Sequence, residues 1–86
     1  MSEKENELIR ALAYKTMYLE SKRPIEWIDI REKPSWNSFY FVKVKAKRLE
    51  FYVAYYDEKS HWAAYIYTKK FHKVITHWST ITLPII

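Results

Sequence analysis

Apolar and polar residues alternate with a period of two through residues 38–68, which is the spacing of β-strands whose two faces differ. The alternation is interrupted at Lys47-Arg48 and at residues 57–60, so this stretch predicts three strands joined by two short antiparallel turns. Residues 25–30 and 73–79 alternate in the same way and predict a first and a last strand, and residues 68–72 predict a polar turn before the last one. We therefore expect an antiparallel meander of four or five strands over about residues 25–79.

The N-terminal segment has helical spacing instead. Its apolar stripe consists of Leu8, Ile9, Leu12 and Leu19. Ser2 and Glu5 fit a capping box at the start, and Pro24 disfavours helical geometry in the residue before it. The pattern predicts an amphipathic helix over about residues 3–22 that packs on one face of the sheet. The fold class is α+β, in one domain of 86 residues with a short apolar C-terminal tail.

Glycine and cysteine are both absent from the chain. The composition excludes disulfides, cysteine nucleophiles and every phosphate-binding loop that depends on glycine. The turns have to rely on residues such as Asn37 and Asp57. Neither a secretory signal nor an apolar run long enough to span a membrane is visible, so we expect a cytoplasmic protein.

The formal net charge is +5, which favours anionic partners. Phe39 and Phe41 alternate in step with Lys43, Lys45 and Lys47, so rings and cations share one predicted sheet face. Rings on such a face stack on unpaired bases while lysines neutralise phosphates. The candidate binding residues, for a partner protein or for nucleic acid, are Phe39, Phe41, Lys43, Lys45, Lys47, Arg48, Tyr65 and Tyr67.

The sequence leaves two placements open. In one, Phe39 and Phe41 lie beneath the helix and the lysines project past its edge. In the other, the helix covers the opposite face and these rings are exposed. Trp36, in the loop between the first two strands, is likewise either a plug over the core or an exposed anchor.

Catalytic chemistry has little support in the sequence. His61, His72 and His77 lie at spacings that match no metal-ligand motif, and no serine nucleophile elbow can form without glycine. We predict no enzyme, no cofactor and no metal site.

Three blocks of the chain resemble a known family. They are Trp-Ile-Asp-Ile at residues 27–30 with Pro34 after it, Val-Ala-Tyr-Tyr-Asp at 53–57 with Trp62, and Ile-Thr-His-Trp at 75–78 with Leu-Pro at 83–84. In order and spacing they resemble the family called domain of unknown function 551, over about residues 26–84. The chain departs from that pattern where the family has glycine, in the first loop and in the central hairpin. The resemblance implies a phage-type origin and a compact β-rich module, and it supplies no catalytic residues. Trp27, Trp62 and Trp78 are interpreted as core residues, because tryptophans in a small sheet usually hold it together.

These observations lead to three functional hypotheses. The first is a non-catalytic, phage-type binding protein that inhibits nucleic-acid-dependent host defence, in the manner of an anti-CRISPR protein, with a host protein or ribonucleoprotein as partner. The second is a direct binder of RNA or single-stranded DNA. The third is an obligate homo-oligomer that buries its open sheet face, or its apolar tail, against a copy of itself. None of the three involves a membrane.

Overall fold

The computed structural model describes residues 2–21, 24–45, 50–67 and 69–82. A single α-helix, α1 (Glu3–Ser21), opens the chain. The Ser2 hydroxyl accepts a hydrogen bond from the Glu5 amide at 3.2 Å, which is the side-chain half of the predicted capping box. Glu3 and Glu5 lie in the first turn, where acidic groups interact favourably with the helix dipole.

The rest of the described chain forms one antiparallel sheet of six strands. The strands are β1 (Ile28–Asp29), β2 (Ser38–Val44), β3 (Phe51–Asp57), β4 (His61–Ile66), β5 (Lys69–Phe71) and β6 (Ile75–Thr80). Their spatial order is β1-β6-β2-β3-β4-β5, so the last strand of the chain inserts between the first two. The predicted α+β class, with one N-terminal helix on an antiparallel sheet, is confirmed.

The sheet has six strands where four or five were predicted, and its order is not a simple meander because β6 lies between β1 and β2. Strand boundaries also differ from the prediction. The first strand is only two residues long, since the chain turns at Ile30 and Arg31. Residues 69–71 were predicted to lie in a polar turn, but they pair with β4 as an edge strand. Lysines are frequent on edge strands because their charge discourages pairing with another chain, and this accounts for a strand with the sequence Lys-Lys-Phe.

The helix covers one face of the sheet. Leu8 and Ala11 are buried there against Phe41, Val53 and Tyr65. Partly buried apolar and aromatic side chains pack around the margins of this cluster. These margin residues are Leu12, Tyr14, Tyr18, Trp27, Phe39, Phe51, Tyr55, Ala63 and Ile81.

Two residues of the predicted helical stripe lie outside this core. Ile9 is 43% exposed and Leu19 is 57% exposed. Ile9 follows Leu8 by about 100° around the helix, which rotates it away from the sheet. Tyr14 and Tyr18, which do not belong to the predicted stripe, pack against the core instead.

The opposite face of the sheet has a second apolar core. Tyr40, Val42, Ala54, Tyr56, Ala64 and Trp78 are buried in it. No helix of the described chain covers this face, and the loop over residues 30–37 lies across one end of it. Trp78 Nε1–H donates to the Glu32 carbonyl at 2.8 Å, and the Tyr40 hydroxyl donates to the Ser35 carbonyl at 3.1 Å.

Candidate functional site

An open groove lies on the sheet face that α1 leaves uncovered. Its volume is about 610 Å³. The groove is bordered by β4, by the end of β5 and by the segment that leads into β6. The residue that follows β2 also lines it. The lining residues are Lys45, Trp62, Ala64, Phe71, His72, Lys73, Val74 and Ile75.

Strand pairing explains how the groove forms. Ala64 pairs with Phe71, so a small side chain stands beside a ring and leaves space above the sheet. Beyond Phe71 the chain leaves the edge strand and passes through residues 72–74 before β6 begins. The Lys45 amide donates to the Val74 carbonyl at 2.8 Å and fixes this segment against the end of β2.

The groove is basic. Lys45, His72 and Lys73 line it and are all exposed, and none of the described lining residues is acidic. Lys69 and Lys70 on the edge strand are exposed as well and precede the groove in the chain. Two fixed positive charges at one concave surface, with one histidine beside them, create a local potential that attracts anions.

Aromatic rings continue from the groove across this face. Trp62 lies 4.5 Å from the Tyr56 ring and 6.0 Å from the Tyr40 ring, measured between ring centroids. The Trp36 indole is stacked on the same Tyr56 ring, at 4.6 Å between centroids and with only 8° between the ring planes. Trp36 is nevertheless 44% exposed. It therefore combines the two predicted roles, because one side covers the core while much of the residue remains open.

Tyr56, whose ring contacts both indoles, has an unusual hydroxyl. Tyr56 is fully buried, and its hydroxyl oxygen has no hydrogen-bond partner among the described residues. A buried hydroxyl without a partner typically costs about 1–3 kcal/mol. The ring contacts of Trp36, Tyr56 and Trp62 therefore surround one buried polar group that has no partner in the described part of the chain.

The predicted candidate rings lie on the other face. Phe41 is 0% exposed and Tyr65 is 7% exposed, and both are buried beneath α1. Phe39 is half-buried in the same cluster, 4.8 Å from the Tyr55 ring. Burial also raises the pKa of the Tyr65 hydroxyl above its ordinary value. Of the two placements left open by the sequence, the structure has the one in which the helix covers these rings, which corrects their assignment as exposed anchors.

The predicted row of lysines is divided between the two faces. Lys43 pairs with Phe51, a ring of the helix-covered core, whereas Lys45 lines the groove. The pairing of β2 with β6 shifts register between Lys43 and Val44, and such an irregularity interrupts the strict alternation of side chains. Lys47 and Arg48, also predicted, lie outside the described residues.

Tyr67 is 79% exposed but does not line the groove. It lines a separate cavity, together with Leu12 and Leu19 of the helix. Of the six predicted residues that the structure describes, Lys45 alone lines the groove. Sequence reasoning missed Trp62, Phe71, His72 and Lys73 as a group, because residues 68–72 were interpreted as a turn and Trp62 as a core residue.

Two further pKa shifts involve neighbouring groups outside the groove, at Lys15 and Tyr52. Burial lowers the pKa of Lys15, whose ammonium group lies 4.8 Å from the centroid of the Tyr52 ring, while Glu50 opposes that shift. Tyr52 in turn hydrogen-bonds Glu50 at 2.6 Å, which raises the Tyr52 pKa. These groups are not among the lining residues of the groove.

Within residues 2–21, 24–45, 50–67 and 69–82, no three histidine or carboxylate side chains are grouped so that they could hold a metal ion. The one helix of these segments is not apolar enough, over a sufficient length, to cross a membrane. No family model, curated protein or solved structure matches this chain. Membership of the family called domain of unknown function 551 therefore stays a prediction.

Proposed function

We propose that this protein is a non-catalytic binding protein whose basic groove takes single-stranded nucleic acid, either free or presented by a host ribonucleoprotein. The observation that carries the proposal is the combination of Trp62 and Phe71 with Lys45 and Lys73 around one open groove. Bases stack on aromatic rings, and lysines neutralise the phosphates between them. The groove replaces the sheet face that was expected from the sequence to bind a partner. The expected mode of binding, ring stacking combined with lysine charge, is the same.

The chemistry favours a single strand over a duplex. Ring stacking needs an unpaired base, and a paired duplex hides its base faces within the stack. Lysine ammonium groups contact phosphates without regard to sequence, so this groove is expected to bind with little sequence preference. Each stacked base is worth about 1–3 kcal/mol, which makes the two rings as important as the cations.

The proposed setting is the cytoplasm of a bacterial host. There a phage-type protein with such a groove would occupy the guide or target strand of a nucleic-acid-dependent defence complex. The phage-type resemblance of residues 26–84 and the charge of the groove support this role. A tagged pull-down from bacterial lysate, with and without nuclease, tests it. A specific host complex recovered in both conditions supports inhibition, whereas recovery of nucleic acid alone, lost after nuclease treatment, limits the role to direct binding.

A titration tests the groove itself. Fluorescence anisotropy of a labelled twelve-nucleotide oligothymidine would be followed at several salt concentrations for the wild type and for the Lys45→Ala/Lys73→Ala variant. For single strands the logarithm of affinity falls with the logarithm of salt concentration with a slope of about −0.7 for each phosphate contact. Loss of two contacts should weaken binding and reduce the size of that slope by about 1.4.

A control variant with the same net charge separates local contacts from overall charge. Arg10→Ala/Lys59→Ala also removes two positive charges, from exposed positions on α1 and in the turn between β3 and β4. Neither residue lines the groove. The control should retain most of the wild-type affinity. Equal losses in the two variants would contradict the groove assignment, and absence of wild-type binding at low salt would contradict direct nucleic-acid binding.

A further inference from the structure

Trp36 does not itself line the groove, but it is connected to Trp62 of the groove through ring contacts with Tyr56. Its indole is parallel to the Tyr56 ring within 8°, and Tyr56 contacts Trp62, which lines the groove. The centroid separations of 4.6 Å and 4.5 Å place Trp36 within about 9 Å of Trp62. A tryptophan with 44% exposure in this position adds ring surface next to a basic concavity.

The loop holds this indole in place. On one side of it, the Ser35 carbonyl accepts the Tyr40 hydroxyl at 3.1 Å. On the other side, the Asn37 amide donates to the Tyr56 carbonyl at 2.6 Å. Both residues that flank Trp36 are therefore fixed to the sheet. Because the indole is already held in place, a base that stacks on it costs less conformational entropy.

We infer that Trp36 is a second stacking platform for the same single strand, so that the binding site extends from the groove to the loop over residues 30–37. The inference rests on the proposed function. Consecutive stacked nucleotides are about 3.4 Å apart along one strand. A dinucleotide in the groove is too short to reach Trp36 as well, whereas a strand of four to six nucleotides spans both platforms.

The charge pattern supports a strand as the occupant. Lys45 follows the last residue of β2 and Trp36 precedes its first, so this cation of the groove and the loop indole lie toward opposite ends of that strand. The Trp36 end supplies rings, with His61 at 6.2 Å from the indole centroid. A ligand that uses both ends combines negative charge with planar rings along its length, as a polynucleotide does.

A length series tests this inference. Anisotropy would measure the affinity of labelled oligothymidines of two, four, six and eight nucleotides for the wild type, Trp36→Leu and Trp36→Phe. Leucine still covers Tyr56 but has no ring face, whereas phenylalanine keeps a ring. We expect Trp36→Leu to lose roughly 5-fold to 150-fold in affinity for the six-nucleotide strand, which is the range for one stacked base. It should lose little for the dinucleotide, and Trp36→Phe should recover most of the loss.

The outcomes separate the two proposals. If the wild type binds the six-nucleotide strand and Trp36→Leu binds it equally well, the second platform is overturned and the groove proposal stands. A loss in Trp36→Leu that is equal at every length would also overturn the platform, because it would indicate general damage to the fold. If no strand binds the wild type at low salt, both proposals fall.

Discussion

Replacement of Phe41 by alanine tests the placement of the predicted aromatic residues most sharply. The Phe41 side chain is 0% exposed in β2, under α1. Its ring lies edge-on to Tyr18 at 4.9 Å and to Phe51 at 5.5 Å. The substitution removes the ring from the junction between helix and sheet and leaves a cavity there.

The expected cost follows from that burial. Phenylalanine to alanine in a protein core typically costs about 3–5 kcal/mol, from lost transfer free energy and from the cavity. At about 0.05–0.15 kcal/mol per residue, a domain of this size has a free energy of unfolding of about 4–13 kcal/mol. Phe41→Ala therefore removes a large share of the stability, and Phe41→Leu should remove a smaller share because it fills part of the space.

Urea unfolding followed by far-ultraviolet circular dichroism measures the effect. Tyr67→Ala is the matched control, since Tyr67 is an aromatic residue of the same predicted surface but is 79% exposed. A substitution at such a surface position should change the free energy of unfolding by no more than about 0.5 kcal/mol. If Phe41→Ala costs less than about 1 kcal/mol, or no more than Tyr67→Ala, the helix does not cover this face and the reasoning is refuted.

Three further substitutions test local features. Ser2→Ala removes the hydroxyl that accepts from the Glu5 amide and should cost about 0.5–2 kcal/mol in urea unfolding, so no change would contradict the cap. Tyr56→Phe removes a buried hydroxyl that has no partner among the described residues. It should leave the protein equally stable or up to about 1–3 kcal/mol more stable, whereas a clear loss would show that the hydroxyl is satisfied. Hydrogen bonds from Ser60 lower the pKa of Asp57 below 3.8, so ionised Asp57 stabilises the fold above that pH and loses this effect as the pH falls through its folded-state pKa. Thermal unfolding should therefore show a wild-type advantage over Asp57→Asn at neutral pH that shrinks below about pH 3.8, and an advantage independent of pH would contradict the linkage.

The sequence predicted the local elements well. The helical spacing after Ser2 predicted both ends of α1 to within about one residue. Capping and periodicity depend only on residues close together in the sequence, so they can be recognised there. Three central strands followed from the alternation in residues 38–68 for the same reason. Asn37 and Asp57 also have the predicted turn roles. Asn37 adopts a φ of 60°, and Asp57 accepts hydrogen bonds from the amides of Lys59 and Ser60 at 3.0 Å and 2.7 Å.

The faces of the sheet could not be assigned from the sequence. Both Phe41 on one side and Tyr40 on the other are large, aromatic and buried, so alternation does not show which face the helix covers. The register shift after Lys43 is a single irregularity that the sequence does not signal. It lies between Lys43, which pairs with a ring of the helix-covered core, and Lys45, which lines the groove. The groove also depends on the pairing of Phe71 with Ala64 and on insertion of β6 between β1 and β2, which are long-range contacts.

The most direct test of the groove is a nitrogen–proton correlation spectrum recorded while an unlabelled six-nucleotide oligothymidine is added. The four tryptophan indole N–H groups act as reporters in known places. Trp62 lines the groove and Trp36 stands beside it, while Trp27 packs on the helix side, 6.0 Å from the Phe51 ring. We predict that the indole signals of Trp62 and Trp36 shift in a saturable way and that the Trp27 signal stays in place. Shifts at Trp27 without shifts at Trp62 and Trp36 would contradict the claim that the uncovered sheet face is the binding surface.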